Sequence, residues 1–232
     1  MGLEYPPVVM ATIQSAALGG IANILAQVIT AYRAGTMLAS GLFTNQNGFQ
    51  TDVVIDWVPV FQFLLFNVIC TPPNFYWQDF LESAFPAHPA ESPKTEEVKG
   101  AKKTQPKLSV RNTLIKFTLD QTVGAAVNTL LFSTYVHALR TAIHPVPVIT
   151  SLPKAITYWT APGTLNFDRV NWATVWEAAK ADFAPLVYAG WKLWPAVSIV
   201  NFAAIKTVEG RNLMGALAGV VWGIYMSLVA AQ

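Results

Sequence analysis

The sequence predicts an all-α fold, a polytopic membrane bundle of four to five transmembrane helices plus a short interfacial helix. Three observations predict it. Of 232 residues, 53% are hydrophobic and only 12% are charged, against roughly 25% charged in an average soluble chain. The charges are clustered, with ten of the 28 Lys, Arg, Asp and Glu residues lying between Glu82 and Arg111. The apolar residues gather in five long segments separated by connectors rich in proline. A globule this poor in charge would expose apolar patches far larger than soluble monomers tolerate. A disulfide-rich secreted fold is excluded as well, because Cys70 is the single cysteine. The formal charge of +2 is too mild for a nucleic-acid binder. The lipid bilayer is the expected surrounding.

Taken in order, the first segment runs from Pro6 to Tyr32 without a charge, and a helix of that length crosses the roughly 30 Å hydrocarbon layer. Glu4 precedes the run and Arg33 follows it, which is the wrong flank for a signal peptide. Pro6 stands where a myristoylation signal needs Ser or Thr. Thr12, Ala16, Gly19, Gly20, Asn23, Gln27 and Thr30 share one helical face, expected to pack. The second segment spans Val53 to Ile69, interrupted by Asp56 and Pro59. Residues 84–112 then read as a flexible, charged, Pro-containing loop, and between Ala87 and Gln105 no aromatic residue is present to anchor it. Leu114 to Leu139 forms the third segment. The connector 140–182 carries Pro145, Pro147, Pro153 and Pro162, and later Trp172, Trp176, Ala179 and Phe183 at helical spacing. That second half is the expected interfacial helix, since tryptophan rings favour the headgroup level. The fourth segment covers Phe183 to Ile205, bent at Pro195. The last, Leu213 to Ala230, bears Gly215, Gly219 and Gly223, a helix-packing pattern. Together the segments make residues 1–232 one membrane-embedded domain.

The third segment carries the candidate site. Lys116, Asp120, Gln121, Gly124 and Asn128 fall within a sector of about 140° on a helical wheel. Lys116 and Asp120 are i,i+4 neighbours able to neutralise one another. Because a charge at mid-membrane costs about 2.5–3.5 kcal/mol even on the lenient scale, the stripe must face other helices or a water-filled cavity. A buried pair that fixes helix register and a polar cavity lining both satisfy that condition. Lys192 and Asn201 of the fourth segment complete the candidate lining, although they lie on opposite faces of a straight helix. Lys192 has two fates, snorkelling to the interface or pairing with Asp56 or Asp120. No catalytic or metal site is expected. His88, His137 and His144 show no ligand spacing, and the chain lacks a G-x-S-x-G elbow or a Gly-rich phosphate loop. No second carboxylate falls beside Asp56, Asp79 or Asp120 at helical spacing.

Trp191, Trp194 and Pro195, then Asn201 and Phe202, Arg211, and finally Trp222, Tyr225 and Ser227 resemble, in that order, the C-terminal signature of the Mpv17/PMP22 family of small peroxisomal and inner-mitochondrial membrane proteins. Upstream, Lys116 with Asp120 and Gln121 is similar to the family's K-x-x-x-D-Q element, and Pro72, Trp77 and Leu81 fit its G-P-x-x-H-x-W-Y-x-x-L element. Gln27 suits the glutamine closing the first helix. Thr71, Phe75 and Gln78 replace the expected Gly, His and Tyr; Ala126 replaces a proline, Ser198 a glutamine and Lys206 a proline. The resemblance implies an organelle membrane, several spanning helices, no cofactor, and a channel or pore-like role in permeability to small solutes or ions; the missing catalytic motifs add the expectation that the chain is not an enzyme. The alternative it leaves open is a structural or complex-assembly membrane protein without transport. Homo-oligomers and membrane-complex partners are compatible with either. The chain's last residues form no S-K-L address, and the peroxisomal membrane is preferred over the mitochondrial inner membrane as its location.

Overall fold

The computed structural model describes residues 5–33, 54–89 and 107–230, with the backbone alone considered for 226–230. Helices begin where the sequence supplies a cap. Pro7–Arg33 forms α1 and Trp57–Ala84 forms α2. The Asp56 carboxylate accepts the Val58 N–H at 3.1 Å and so starts α2. Val110–Leu119, a π-helical turn Asp120–Gly124 and Ala125–Ala142 run on as one helix, α3. Ser109 caps its start by accepting from Asn112 N at 3.4 Å. Leu152–Thr160 is α4 and Trp172–Gly190 is α5, the latter capped by Asn171 on Thr174 N at 3.2 Å. Trp194–Ala204 is α6 and Val208–Ala230 is α7. No strand occurs among the described residues.

Three boundaries differ from the sequence reading. The second apolar segment continues past Ile69 to Ala84, through Pro72 and Pro73. Those prolines remove two backbone donors from the helix interior but do not end it. The presumed loop 84–112 is helical at both edges, since α2 ends at Ala84 and α3 starts at Val110. Its flanks are tied together: Ser109 N donates to Ala87 O at 2.8 Å, and Asn112 Nδ2 to Pro86 O at 2.9 Å. Residues 90–106, the centre of the expected flexible loop, lie outside the described residues. The fourth segment is broken, and its first part is continuous with the expected interfacial helix as α5. A tight turn at Trp191–Leu193 closes on Val187, Ala189 and Gly190 carbonyls at 3.0–3.2 Å. Pro195 sits in the first turn of α6, where a missing N–H leaves no helical bond unmade, so it opens a helix rather than bending one.

The hydrogen bonds between elements assign two ends to the bundle. At one end α1 finishes against the start of α2, with Gln27 on Asp56, and Trp57 N donates to Ile149 O at 2.9 Å just after α3. At the other, the last turn of α2 meets the first half of α3 and the start of α7. Helices α5 and α6 return along α3 in the opposite direction, Asp182 lying beside Ser133 and Ser198 beside Asp120. α1 packs between α2 and α7. Its tightest point is Gly19, where a Cβ would collide with the Asn67 amide of α2. The core is therefore thin and the outside apolar. Ile13, Ile69, Phe80, Val127, Ile199 and Val221 are all more than half exposed. Among the described residues two helices, Pro7–Tyr32 and Trp57–Ala84, are long and apolar enough to cross a membrane, and only 28% and 22% of their span windows is buried.

Candidate functional site

The polar residues of this apolar bundle converge between α2, α3, α6 and α7. Glu82, in the last turn of α2, receives two cations on one oxygen: Lys116 Nζ donates to Oε2 at 2.6 Å, and Arg211 Nη2 lies 2.6 Å from the same atom. Its Oε1 accepts from Ala87 N at 2.8 Å. Both cationic side chains are fully enclosed (0% exposed), whereas the Glu82 side chain is 26% exposed. The ring of Phe202, itself 1% exposed, lies beneath both, 5.2 Å from Lys116 Nζ and 5.5 Å from Arg211 Cζ. Such cation–π contacts are strongest when water is excluded. Arg211 is further held by α6: its Nε donates to Asn201 O at 3.3 Å and Ile205 O at 3.0 Å, and Asn201 Nδ2 donates back to Arg211 O at 3.3 Å.

One turn deeper on α3, Asp120 collects neutral donors. Gln78 Nε2 donates to Oδ1 at 3.1 Å, and Gln121 Nε2 and Ser198 Oγ donate to Oδ2 at 3.2 and 2.8 Å. Asp120 opens the π turn, a feature frequent at functional sites. Gly124, at the end of that turn, admits the Trp77 indole, whose Nε1 would stand 2.9 Å from a Cβ there. That buried Nε1 has no hydrogen-bond acceptor.

The structure brings together some of the predicted lining and disperses the rest. Lys116, Asp120, Gln121 and Asn201 belong to the cluster. Lys116 and Asp120 do not pair with each other, because Glu82 outcompetes the i,i+4 partner and Asp120 is turned toward Gln78 and Ser198. Asn128 is exposed on the side of α3 that carries Val123, Val127 and Leu131, where none of the described helices covers it. Lys192 is exposed in the α5–α6 turn and donates to Tyr225 OH at 2.8 Å, so neither Asp56 nor Asp120 is its partner. Of the glycines expected at a helix interface, Gly223 would place a Cβ 3.6 Å from Ala22 of α1. Among the described residues Gly215 and Gly219 would meet nothing within 4 Å, so of this expected packing stripe only its Gly223 end touches α1.

The remaining signature residues have two structural tasks. The Trp194 ring packs tilted against Trp222 at 6.2 Å, and Trp222 tilted against Tyr225 at 5.5 Å, joining the start of α6 to α7. Trp191 packs edge-on against Tyr188 at 5.7 Å, and Pro195 opens α6. Asn201, Phe202 and Arg211 build the charged cluster. The side chain of Ser227 lies outside the described residues.

Glu82, Gln78 and Ser198 were missed. Glu82 reads as part of the charged loop because four acids and six bases follow one another from 82 to 111. The signal that would have found it is a stripe: Thr71, Phe75, Gln78 and Glu82 recur at helical spacing, and the first three are buried. Gln78 and Ser198 appear in the sequence only as departures from the resembled family, yet both end on the Asp120 carboxylate. An amide expected at 198 is supplied instead from 78.

A separate trio lies between α3 and α5, where Ser133 Oγ and His137 Nε2 approach Asp182 Oδ2 at 2.6 and 2.8 Å. Hydroxyl and imidazole address the same oxygen, so the imidazole is not aimed at the hydroxyl proton as a general base would be. Nearby, a cleft of about 210 Å³ between α2 and α3 is walled by Phe63, Phe66, Phe132 and Tyr135. It is an aromatic side pocket, apart from the charged cluster.

An all-helical bundle with an apolar exterior and charge sealed inside belongs to the class of helical membrane proteins. Residues 165–227, which contain α5, α6 and most of α7, match the family model of the Mpv17 / PMP22 family. PXMP2/4 family protein 3 of Dictyostelium discoideum is 24% identical over 178 residues, covering 77% of this chain and 70% of the relative. Both matches support membership of the Mpv17 / PMP22 family. No solved structure matches the chain.

Proposed function

We propose that the chain spans an organelle membrane, the peroxisomal membrane in preference to the mitochondrial inner membrane, and carries small solutes or ions along the polar seam between α2, α3 and α6. The observation that carries this reading is the sealed charge. Lys116 and Arg211 are 0% and 1% exposed, and ions sealed from water in an apolar bundle are costly to place. Neutral amides hold helices together for far less. This reading takes five traverses of the membrane: α1, α2, α3, the broken pair α5 with α6, and α7. α4 and the connector before α5 remain at one end. No catalytic step and no cofactor enter this reading, and the bilayer is the first partner. The experiment is solute release from proteoliposomes. Purified protein should accelerate efflux of entrapped small solutes above protein-free vesicles. A folded protein without efflux would favour the alternative, a structural or assembly role.

A further inference from the structure

Among the described residues, the charges around Glu82 do not balance. Two cations converge on one carboxylate oxygen, at 2.6 Å each. Asp120 would complete the count, but its oxygens are already occupied by Gln78, Gln121 and Ser198, and neither cation donates to it. Arg211 shows the deficit atom by atom. Its Nε is satisfied by two carbonyls, yet among the described residues Nη1 and Nη2 are buried without an acceptor in hydrogen-bond geometry, Nη2 meeting Glu82 only as a close, off-line ion pair. Three residues before Lys116 on the same helix, the Thr113 hydroxyl is also buried without a partner. Leaving donors of a charged group unmatched in a dry interior is expensive. A planar guanidinium whose Nη1 has no described acceptor and whose Nη2 is only ion-paired, an ammonium and a hydroxyl form a donor set suited to an oxyanion. The way in is marked by Glu82, the one charged member of this group with appreciable exposure (26%).

The geometry points to a binding site for one small free oxyanion, the carboxylate or phosphate group of a solute, held by Arg211 and Lys116 and entered past Glu82. Glu82 then acts as a resident anion that occupies the cations until the solute arrives. This deepens the solute-path reading by naming the class of solute, and it is tested where no transport occurs, so that its failure leaves flux data standing.

The test is thermal unfolding of the delipidated full chain in neutral detergent, titrated with sodium phosphate or sodium acetate against sodium chloride at equal ionic strength. Phosphate or acetate should raise the midpoint along a saturating curve, by about 2–4 °C at high occupancy. Arg211→Lys keeps the charge but loses the fork and should weaken the apparent affinity about tenfold. Glu82→Gln removes the competing carboxylate and should tighten it about tenfold, the opposite of what a purely structural Glu82 would give. A linear, unsaturating rise shared by all forms is the general salting effect of excluded ions and overturns the proposal. If neither variant folds, the wild-type titration decides by itself, since saturation is required of it. Saturation by short-chain phosphatidic acid alone, with none by phosphate or acetate, would assign the donors to a lipid headgroup and overturn the free-solute site.

Discussion

At the end of the bundle where α2 finishes, the polar contacts are ionised and closed off: Lys116 and Arg211 share Glu82 with no exposure of either cation. At the opposite end the same task of joining helices is done with neutral or half-exposed groups. The Gln27 amide pairs with the Asp56 backbone in both directions, at 2.8 and 2.9 Å, and His137 meets Asp182 with 31% and 46% of the two side chains exposed. Neutral amides suffice to fix a helix pair, and an exposed ion pair contributes little because water and salt already screen it. The sealed end therefore carries more charge than holding the helices requires, and that surplus is the reason to look for function there.

The largest effect should come from breaking the sealed end. Glu82→Gln leaves two buried cations without a counter-ion and should destabilise the protein by about 3–5 kcal/mol, measured by denaturant unfolding in detergent. A loss below 1 kcal/mol would mean that water or headgroups already reach Arg211 and Lys116. Gly19→Leu comes next, because its side chain must enter the space held by Asn67, and overpacking of this kind costs about 1–3 kcal/mol. An unchanged midpoint there would separate α1 from α2 and remove the neutral end of the comparison. Asp182→Asn, at the half-exposed pair, should cost about 0.2–1 kcal/mol and lose that effect in high salt; a loss as large as that of Glu82→Gln would erase the contrast between the ends. Gly219→Leu should change stability least, within about 0.5 kcal/mol in dispersed protein, since open space surrounds it. A large drop would reveal a neighbour on that face.

How far the sequence carries these statements depends on the range of the interaction. Helix α1 was legible because its charge-free run and the Gly19–Asn23–Gln27 face are local patterns. The broken α5–α6 pair was legible only as one segment: the run of apolar residues continues through Trp191–Leu193, while at the break Gly190 gives room to the Trp194 ring and Trp194 packs against Trp222 of α7. Lys116, Asp120 and Asn201 could be picked as buried polar groups from the cost of charge in lipid. Their partners could not, since Glu82 and Arg211 are separated by 129 positions and Glu82 stands at the head of a run of charges. Asn128 failed for a related reason. A wheel gives the face of one helix, and whether another helix covers that face at its level is a property of the whole bundle.

The central claim is that the sealed charges line a route for solutes, and the most direct measurement is the reversal potential of folded parent and folded Lys116→Gln in planar bilayers under a salt gradient. Parent protein should conduct, and replacing Lys116 should move the reversal potential toward cation selectivity, while Asp120→Asn moves it toward anion selectivity. Folded variants with an unchanged reversal potential, or a folded parent with no conductance, would contradict the account.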